Sequence, residues 1–199
     1  MIWNGISSPK SCREICANNI SWSNPMKIEV VIGNIVKQPD VEAIVNSANA
    51  NLRLGSGVAG AIHMAAGDKL EDYCQPFAPL ELGAALITPG FDLPNKWVIH
   101  VRSAHYINNT EPERYMAFAI FSMLNVAREN KIKTLAMPAI GTGMFKFPAV
   151  LAARITAKCL QEFAKGEHDI ELVRICVVNE EMRQLFESAL AVDVGLNVG

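Results

Sequence analysis

The residues with the clearest chemical potential lie between Val45 and Met64, where the sequence reads VNSANANLRLGSGVAGAIHM. An apolar strand is followed by an asparagine-rich turn, a glycine cluster and an apolar helical pattern. The first N–H groups of a helix lack intrahelical partners, and the helix dipole favours negative charge at that end. This order of segments therefore predicts an anion site, and a phosphate-bearing small molecule is the first ligand to expect.

The glycine cluster also matches G-x-G-x-x-G, the fingerprint of dinucleotide-binding folds, from Gly55 to Gly60. In those folds the strand leads directly into the first glycine, and an acidic residue follows about 20 positions later. Here nine residues separate the strand from Gly55, and the candidate acid, Glu81, precedes an apolar run instead of ending one. The context rejects a dinucleotide fold, while a purely structural role for the glycines stays open.

Composition and charge narrow the classes of function. The chain has 199 residues, of which 50% are hydrophobic and 19% charged, which predicts a folded domain with a sizeable core. No apolar run approaches the ~18 residues of a membrane span. The net charge of −2 argues against charge-driven binding of nucleic acid. An anionic ligand must therefore be held by N–H groups instead of a lysine cluster.

The five cysteines are odd in number and scattered, which argues against a disulfide framework and predicts a reducing, cytoplasmic location. Cys12 and Cys16 have half the spacing of a metal site, but no second Cys or His pair completes it. We therefore expect neither a metal nor a cofactor.

Strands and helices alternate along the chain, which predicts an α/β protein with a central, mostly parallel sheet. The polar residues 1–25 are expected to be an appendage, and residues 26–199 the folded domain. Gly67 is expected to end one helix and the Asp68 side chain to cap the next. The predicted strands are 28–32, 44–45, 84–88, 97–101, 135–138 and 172–178, and the predicted helices are 57–66, 69–74, 111–130, 148–163 and 180–190.

Ligands of such sheets bind beyond the carboxyl ends of the strands, and three motifs are expected to meet there. They are Gly33-Asn34-Ile35, the segment from Asn46 to Gly60, and the segment from Pro138 to Phe145, which reads PAIGTGMF. In this order and spacing they resemble the macrodomain family of ADP-ribose-binding modules, and most closely its MacroD-type members. The resemblance covers about residues 27–190 and implies a three-layer αβα sandwich whose mixed sheet carries the ligand cleft.

The resemblance also implies roles for individual residues. Asn34 stands where most members have an aspartate that accepts a hydrogen bond from the adenine amino group; the alternative is that Asn34 caps a turn. Asn49 matches the asparagine that contacts the distal ribose, and it is the candidate catalytic residue. Asn46 is expected to hold the loop backbone. The candidate ligand-binding residues are Gly33, Asn34, Ile35, Asn49, Gly57, Val58, Ala59, Gly60, Pro138, Gly141, Thr142, Gly143, Met144 and Phe145.

Phe145 matches an aromatic residue that packs against the distal ribose, although an ordinary core position explains it equally well. His63 lies one helical turn after Ala59 and is expected to be structural. His105 and Tyr106 are candidates for the rim of the cleft.

Departures from the family pattern bear on catalysis. MacroD-type hydrolases carry an aspartate at the position of Ala59, Leu54 replaces a histidine of viral relatives, and Ser56 interrupts the glycine run. The sequence therefore predicts binding of ADP-ribose or of mono-ADP-ribosylated protein, with slow hydrolysis at most. The alternatives are an O-acetyl-ADP-ribose deacetylase and a non-catalytic ADP-ribose reader. The resemblance extends to Appr-1″-p processing proteins. Neither a membrane nor nucleic acid is an expected partner.

Overall fold

The computed structural model describes residues 25–192, so most of the expected appendage, including Cys12 and Cys16, lies outside the described residues. It contains six strands and five α-helices in this part of the chain. The strands are β1 (Lys27–Ile32), β2 (Ala43–Ser47), β3 (Ala85–Pro89), β4 (Trp97–Val101), β5 (Thr134–Pro138) and β6 (Leu172–Val177). The helices are α1 (Gly57–Ala66), α2 (Lys69–Cys74), α3 (Pro112–Glu129), α4 (Ala149–Ala164) and α5 (Glu180–Ala191).

The six strands form one sheet in the order β1-β6-β5-β2-β4-β3. All neighbouring pairs are parallel except β3 and β4, which are antiparallel. The predicted α/β sandwich with a mixed, mostly parallel sheet is therefore confirmed. Within residues 25–192 no helix is long and apolar enough to cross a membrane.

Successive residues of β2 point to opposite faces of the sheet and enter two separate cores. Ile44 belongs to the core that includes Ile62 of α1 and Leu70 of α2. Val45 belongs to the core that includes Met116 of α3, Leu160 of α4 and Phe186 of α5. Both Ile44 and Val45 are fully buried, as expected for a central strand covered on both faces. The sheet is thus the middle layer between two helical layers.

The end of α1 matches the prediction, but the start of α2 does not. Gly67 has a φ of 79°, and its N–H donates to the carbonyl of His63 at 3.0 Å, as a helix-ending glycine does. The expected side-chain cap at Asp68 is wrong, because Asp68 makes no cap hydrogen bond and has helical backbone angles of −60° and −29°. The two helices are so close that Asp68 continues the turn and its backbone carbonyl accepts from the N–H of Asp72 at 3.3 Å.

Candidate functional site

A cleft of about 760 Å³ opens where β1, β2, β5 and β6 reach their carboxyl ends. This volume lies in the range of about 300–1,000 Å³ typical of small-molecule sites. Parallel strands bring their carboxyl ends to one edge, so residues distant in sequence meet there. The lining residues come from Gly33–Ile35 after β1, from residues 47–61 at the end of β2 and the start of α1, from residues 138–145 at and after the end of β5, and from residues 176–182 at the end of β6 and the start of α5.

The cleft collects nearly all the residues that the sequence analysis proposed as ligand contacts. Thirteen of the fourteen line it, and the exception is Gly60. Their contact with a ligand stays a prediction. The thirteen are Gly33, Asn34, Ile35, Asn49, Gly57, Val58, Ala59, Pro138, Gly141, Thr142, Gly143, Met144 and Phe145.

Gly60 is buried in the first turn of α1 instead of facing the cleft. Its N–H donates to the carbonyl of Ser56 at 3.5 Å and so belongs to the helix. A Cβ on Gly60 would lie 2.4 Å from the carbonyl oxygen of Gly55. Because Gly60 has no side chain, the loop backbone at Gly55 packs against the helix, and only the N–H groups nearer the helix start remain for a ligand.

The start of α1 has the free donors that an anion site needs. Ser56 occupies the N-cap position with extended backbone angles, but its side chain makes no cap hydrogen bond. Within residues 25–192 the N–H groups of Gly57 and Val58, at the first two helical positions, therefore lack a side-chain acceptor. Gly57 has a φ of 60°, and a Cβ there would meet nothing within 4 Å, so the space beside it is open cleft.

The loop between β5 and α4 presents a second set of backbone donors. Thr142, Lys146 and Phe147 donate their N–H groups to carbonyls inside the loop at 3.0–3.3 Å, which fixes its shape. Among residues 25–192 the N–H groups of Gly143, Met144 and Phe145 donate to no protein acceptor. Successive unpaired N–H groups in a turn form an anion-binding concavity.

Tyr106 supports that second loop from outside the cleft. Its N–H donates to the carbonyl of Phe145 at 2.7 Å, and its ring packs on Phe147 with centroids 5.1 Å apart. Neither His105 nor Tyr106 is among the residues that line the cleft, so their predicted place at the rim is wrong. Phe145 lines the cleft and also packs against the main core, so the core position is confirmed and its contact with a ribose stays a prediction.

Asn49 organises the loop that precedes the glycines. Its Oδ1 accepts the N–H groups of Asn51 and Arg53 at 3.1 and 3.2 Å, and its Nδ2 donates to the carbonyl of Arg53 at 2.7 Å. A side-chain amide has two acceptor sites and two donor hydrogens. Asn49 therefore retains one N–H for a ligand, and its acceptor capacity is already used.

We expect Asn49→Ala to lower the free energy of unfolding by about 1–2 kcal/mol, because three hydrogen bonds of a partly exposed loop are lost. Urea denaturation measures this effect. Asn51→Ala is the matched control, since its side chain makes none of these bonds. Equal stability of Asn49→Ala and the wild type would show that Asn49 does not hold the loop.

The cleft carries almost no ionisable side chains. Among residues 25–192, Cys176 is the only titratable residue in its lining, and burial raises the pKa of that thiol to about 11. The described part of the chain places no carboxylate, histidine, lysine or arginine in the lining. The side chains of the cleft thus supply neither a general base nor a charge to neutralise a phosphate, and backbone N–H groups must hold an anion.

The two histidines near α1 form a buried network behind the cleft instead. His100 lies 3.0 Å from the Nδ2 of Asn46 through its Nδ1 and 3.0 Å from the Oγ1 of Thr88 through its Nε2. His63 is 5% exposed, and its ring centroid is 6.4 Å from that of His100. His63 is therefore structural, as predicted. Asn46 differs from the prediction, since its side chain holds His100 and not the loop backbone.

Glu71 connects this network to the glycine loop. One of its carboxylate oxygens, Oε2, accepts the N–H of Leu54 at 2.8 Å and lies 3.9 Å from the Nδ1 of His63. Glu71 of helix α2 thus anchors the backbone of Leu54, the residue that directly precedes Gly55. No local pattern indicates this contact, because the whole of α1 separates Glu71 from Leu54.

Sequence reasoning also missed the wall of the cleft formed by the end of β6 and the start of α5. Cys176, Val177, Val178 and Met182 line the cleft there. Strand β6 reads as a plain buried apolar strand, and its place between β1 and β5 depends on pairings across the sheet. Once that strand order is known, the carboxyl end of β6 must border the site. Within the described part of the chain, no group of three or more His, Cys, Asp or Glu residues could hold a metal ion.

Comparison with known proteins agrees with this geometry. The Macro domain family matches residues 45–156. A Macro domain-containing protein of Lactiplantibacillus plantarum is 39% identical over 168 residues, which span 83% of this chain and 97% of that protein. The ADP-ribose glycohydrolase MACROD2 of Xenopus laevis is 37% identical over 169 residues, which span 82% of this chain but only 40% of that protein.

Solved structures give the same result for the fold. The Oceanobacillus iheyensis macrodomain with ADP superposes with a TM-score of 0.79 at 31% identity, over 84% of this chain and 91% of that one. The Trypanosoma brucei macrodomain in complex with ADP-ribose superposes with a TM-score of 0.76 at 25% identity, over 82% of this chain and 69% of that one.

Proposed function

The chain belongs to the macrodomain family, and from that premise we propose that its cleft binds ADP-ribose, either free or attached to a modified protein. One observation carries the proposal: two separate sets of unpaired backbone N–H groups, at the start of α1 and in the loop after β5, border the same cleft. A diphosphate has oxygens enough to accept from both sets at once.

The rest of the cleft suits the two sugars and the base on either side of a diphosphate. Asn49 and Ser47 offer polar atoms at the end beside β2, where a ribose with its hydroxyl groups can be bound. Ile35, Val178 and Met182 offer apolar surface at the end beside β1 and β6, where a planar base can be buried. The ligand therefore lies with its base towards β1 and its distal ribose towards Asn49.

Hydrolysis is expected to be slow because the described residues that line the cleft include no carboxylate or histidine. A positioned general acid or base typically contributes about 10²–10⁴-fold to a rate. Without such a group, the only contributions to the rate are the positioning of the ribose and the positioning of a water by the ligand's own phosphate. We therefore propose primarily a binding protein for mono-ADP-ribosylated partners. A slow hydrolase or O-acetyl-ADP-ribose deacetylase is the second candidate, favoured by the free N–H of Asn49 beside the ribose end.

The test is calorimetric titration with ADP-ribose, followed by incubation of the same sample with a mono-ADP-ribosylated protein. A micromolar Kd without release of the modification supports a reader. The same Kd with release supports a hydrolase that works without a carboxylate. If ADP-ribose fails to bind, the proposed function is wrong.

Ala59→Asp should convert slow turnover into measurable hydrolysis. Ala59 is the third residue of α1 and lines the cleft, so a carboxylate there reaches the ribose end as a general acid or base. We expect release of ADP-ribose from modified protein to rise by about 10²-fold or more. Ala59→Asn is the isosteric control without acid–base capacity. Equal rates for the two variants would contradict the proposed geometry.

We further propose a reducing compartment such as the cytoplasm. Cys74, Cys159 and Cys176 are free and buried, and a reducing compartment is where thiols stay unpaired. Appr-1″-p and related ADP-ribose derivatives are candidate small ligands there, beside modified proteins.

A further inference from the structure

The end of the cleft beside β1 has a single side chain with oxygen or nitrogen atoms, that of Asn34. The other lining residues at this end are Gly33, Ile35, Cys176, Val177, Val178 and Met182. A base placed there is enclosed by apolar surface, so hydrogen bonds at its polar edge decide which base fits. If the cleft binds a nucleoside diphosphate ribose, as proposed above, Asn34 is where the base is read.

The orientation of the Asn34 amide is fixed by the protein. Its Oδ1 accepts the N–H of Val36 at 3.1 Å, and an N–H donor cannot be paired with an amide nitrogen. The oxygen must therefore face the turn, and the Nδ2 group is directed away from it. Among residues 25–192, Nδ2 of Asn34 has no hydrogen-bond partner, and it lies in an exposed side chain at the mouth of the cleft.

The turn that carries Asn34 is held firmly from behind. Gln38 is 8% exposed, and its Nε2 donates to the Asn34 carbonyl at 2.9 Å. Arg174 in turn donates to the Oε1 of Gln38 at 3.0 Å and forms a two-pronged pair with Asp40 at 2.7 and 2.8 Å. Salt-bridged to Arg174, Asp40 has a pKa below its ordinary value. This support holds the backbone of the turn from which the Asn34 side chain projects.

The residue after Asn34 supplies a second donor. The N–H of Ile35 donates to no acceptor in the described part of the chain, and Ile35 lines the cleft. The base end therefore presents two neighbouring donors. Adenine has one acceptor and one donor on each of its polar edges. Guanine and hypoxanthine have two adjacent acceptors, O6 and N7, on one edge.

We propose that Asn34 is a specificity-determining residue and that the cleft binds a 6-oxopurine nucleoside diphosphate ribose more tightly than ADP-ribose. Nδ2 of Asn34 donates to O6 and the backbone N–H of Ile35 donates to N7. ADP-ribose binds through the same diphosphate and ribose contacts but leaves its 6-amino group facing the Asn34 donor. An unpaired donor–donor contact of this kind weakens binding without affecting the phosphate loops.

The test compares calorimetric titrations of GDP-ribose and ADP-ribose for the wild type and for Asn34→Asp. The aspartate keeps an oxygen for the Val36 N–H and turns a second oxygen towards the base. We expect GDP-ribose to bind the wild type more tightly, and the ratio of the two Kd values to shift by about tenfold or more towards ADP-ribose in the variant. Equal thermal unfolding midpoints establish that the turn is retained.

The outcomes separate this inference from the proposed function. Tighter binding of ADP-ribose by the wild type, or an unchanged Kd ratio in Asn34→Asp, overturns the role of Asn34 and leaves the proposed function standing. If neither ligand binds the wild type, the proposed function and this inference both fall.

Discussion

Gly143→Val should leave the fold intact and weaken ADP-ribose binding by roughly tenfold to hundredfold. Gly143 is exposed in the second loop, and a Cβ there would meet no atom within 4 Å. Because Gly143 also lines the cleft, we expect a valine side chain there to occupy the space of a ligand beside the unpaired N–H groups. Calorimetric titration measures the loss of affinity, and thermal unfolding measures the fold.

Two further glycine variants serve as controls, one for ligand binding and one for stability. Gly166→Val places the same side chain on an exposed position outside the cleft and should bind normally. Gly141→Val should destabilise the protein, because Gly141 has a φ of 84° and its Cβ would lie 2.8 Å from the Phe147 ring. Unchanged affinity in Gly143→Val would mean that the ligand lies elsewhere.

The free energy of unfolding should fall by about 2 kcal/mol between pH 7 and pH 5, because His100 takes up a proton in the unfolded chain but not in the folded protein. Burial, with a smaller effect of His63, lowers the pKa of His100 from 6.5 to about 3. Since the pKa in the folded state is below that of the unfolded chain, stability is complete above pH 6.5 and is lost as the pH falls towards 3. With the Asn46 amide nitrogen facing Nδ1, a proton there would oppose another donor.

Urea denaturation at a series of pH values measures this effect, and His100→Gln supplies the comparison. The variant should be less stable at pH 7 but should lose less stability between pH 7 and pH 5. His63 contributes in the same direction, because burial also lowers its pKa. His105→Gln is the control, since His105 lies outside the buried network. A wild-type slope that persists in His100→Gln would assign the acid sensitivity to other groups.

The elements of the fold could be predicted closely because their signals are local. Helix α1 begins and ends where the glycines at 57 and 67 place it, and β4 spans the predicted residues. Hydrophobic periodicity and turn residues act within a few positions of the chain, so they can be recognised without knowing the partners. The prediction at Asp68 was wrong because two helices meet there. The backbone of Asp68 is helical and continues the turn, and its side chain does not cap α2.

The sequence alone determined the alternation of strands and helices, the two glycine-containing loops and the family that their order resembles. Tertiary structure decided the order of the strands, and with it the apolar wall from β6 that no local pattern marks. It also decided which hydrogen bonds each polar side chain makes within the protein. The Oδ1 of Asn49 accepts from two N–H groups of its own loop, and the Oδ1 of Asn34 accepts from the N–H of Val36. Hydrogen-bonding capacity is finite, so what a residue offers a ligand depends on the partners that folding has already given it.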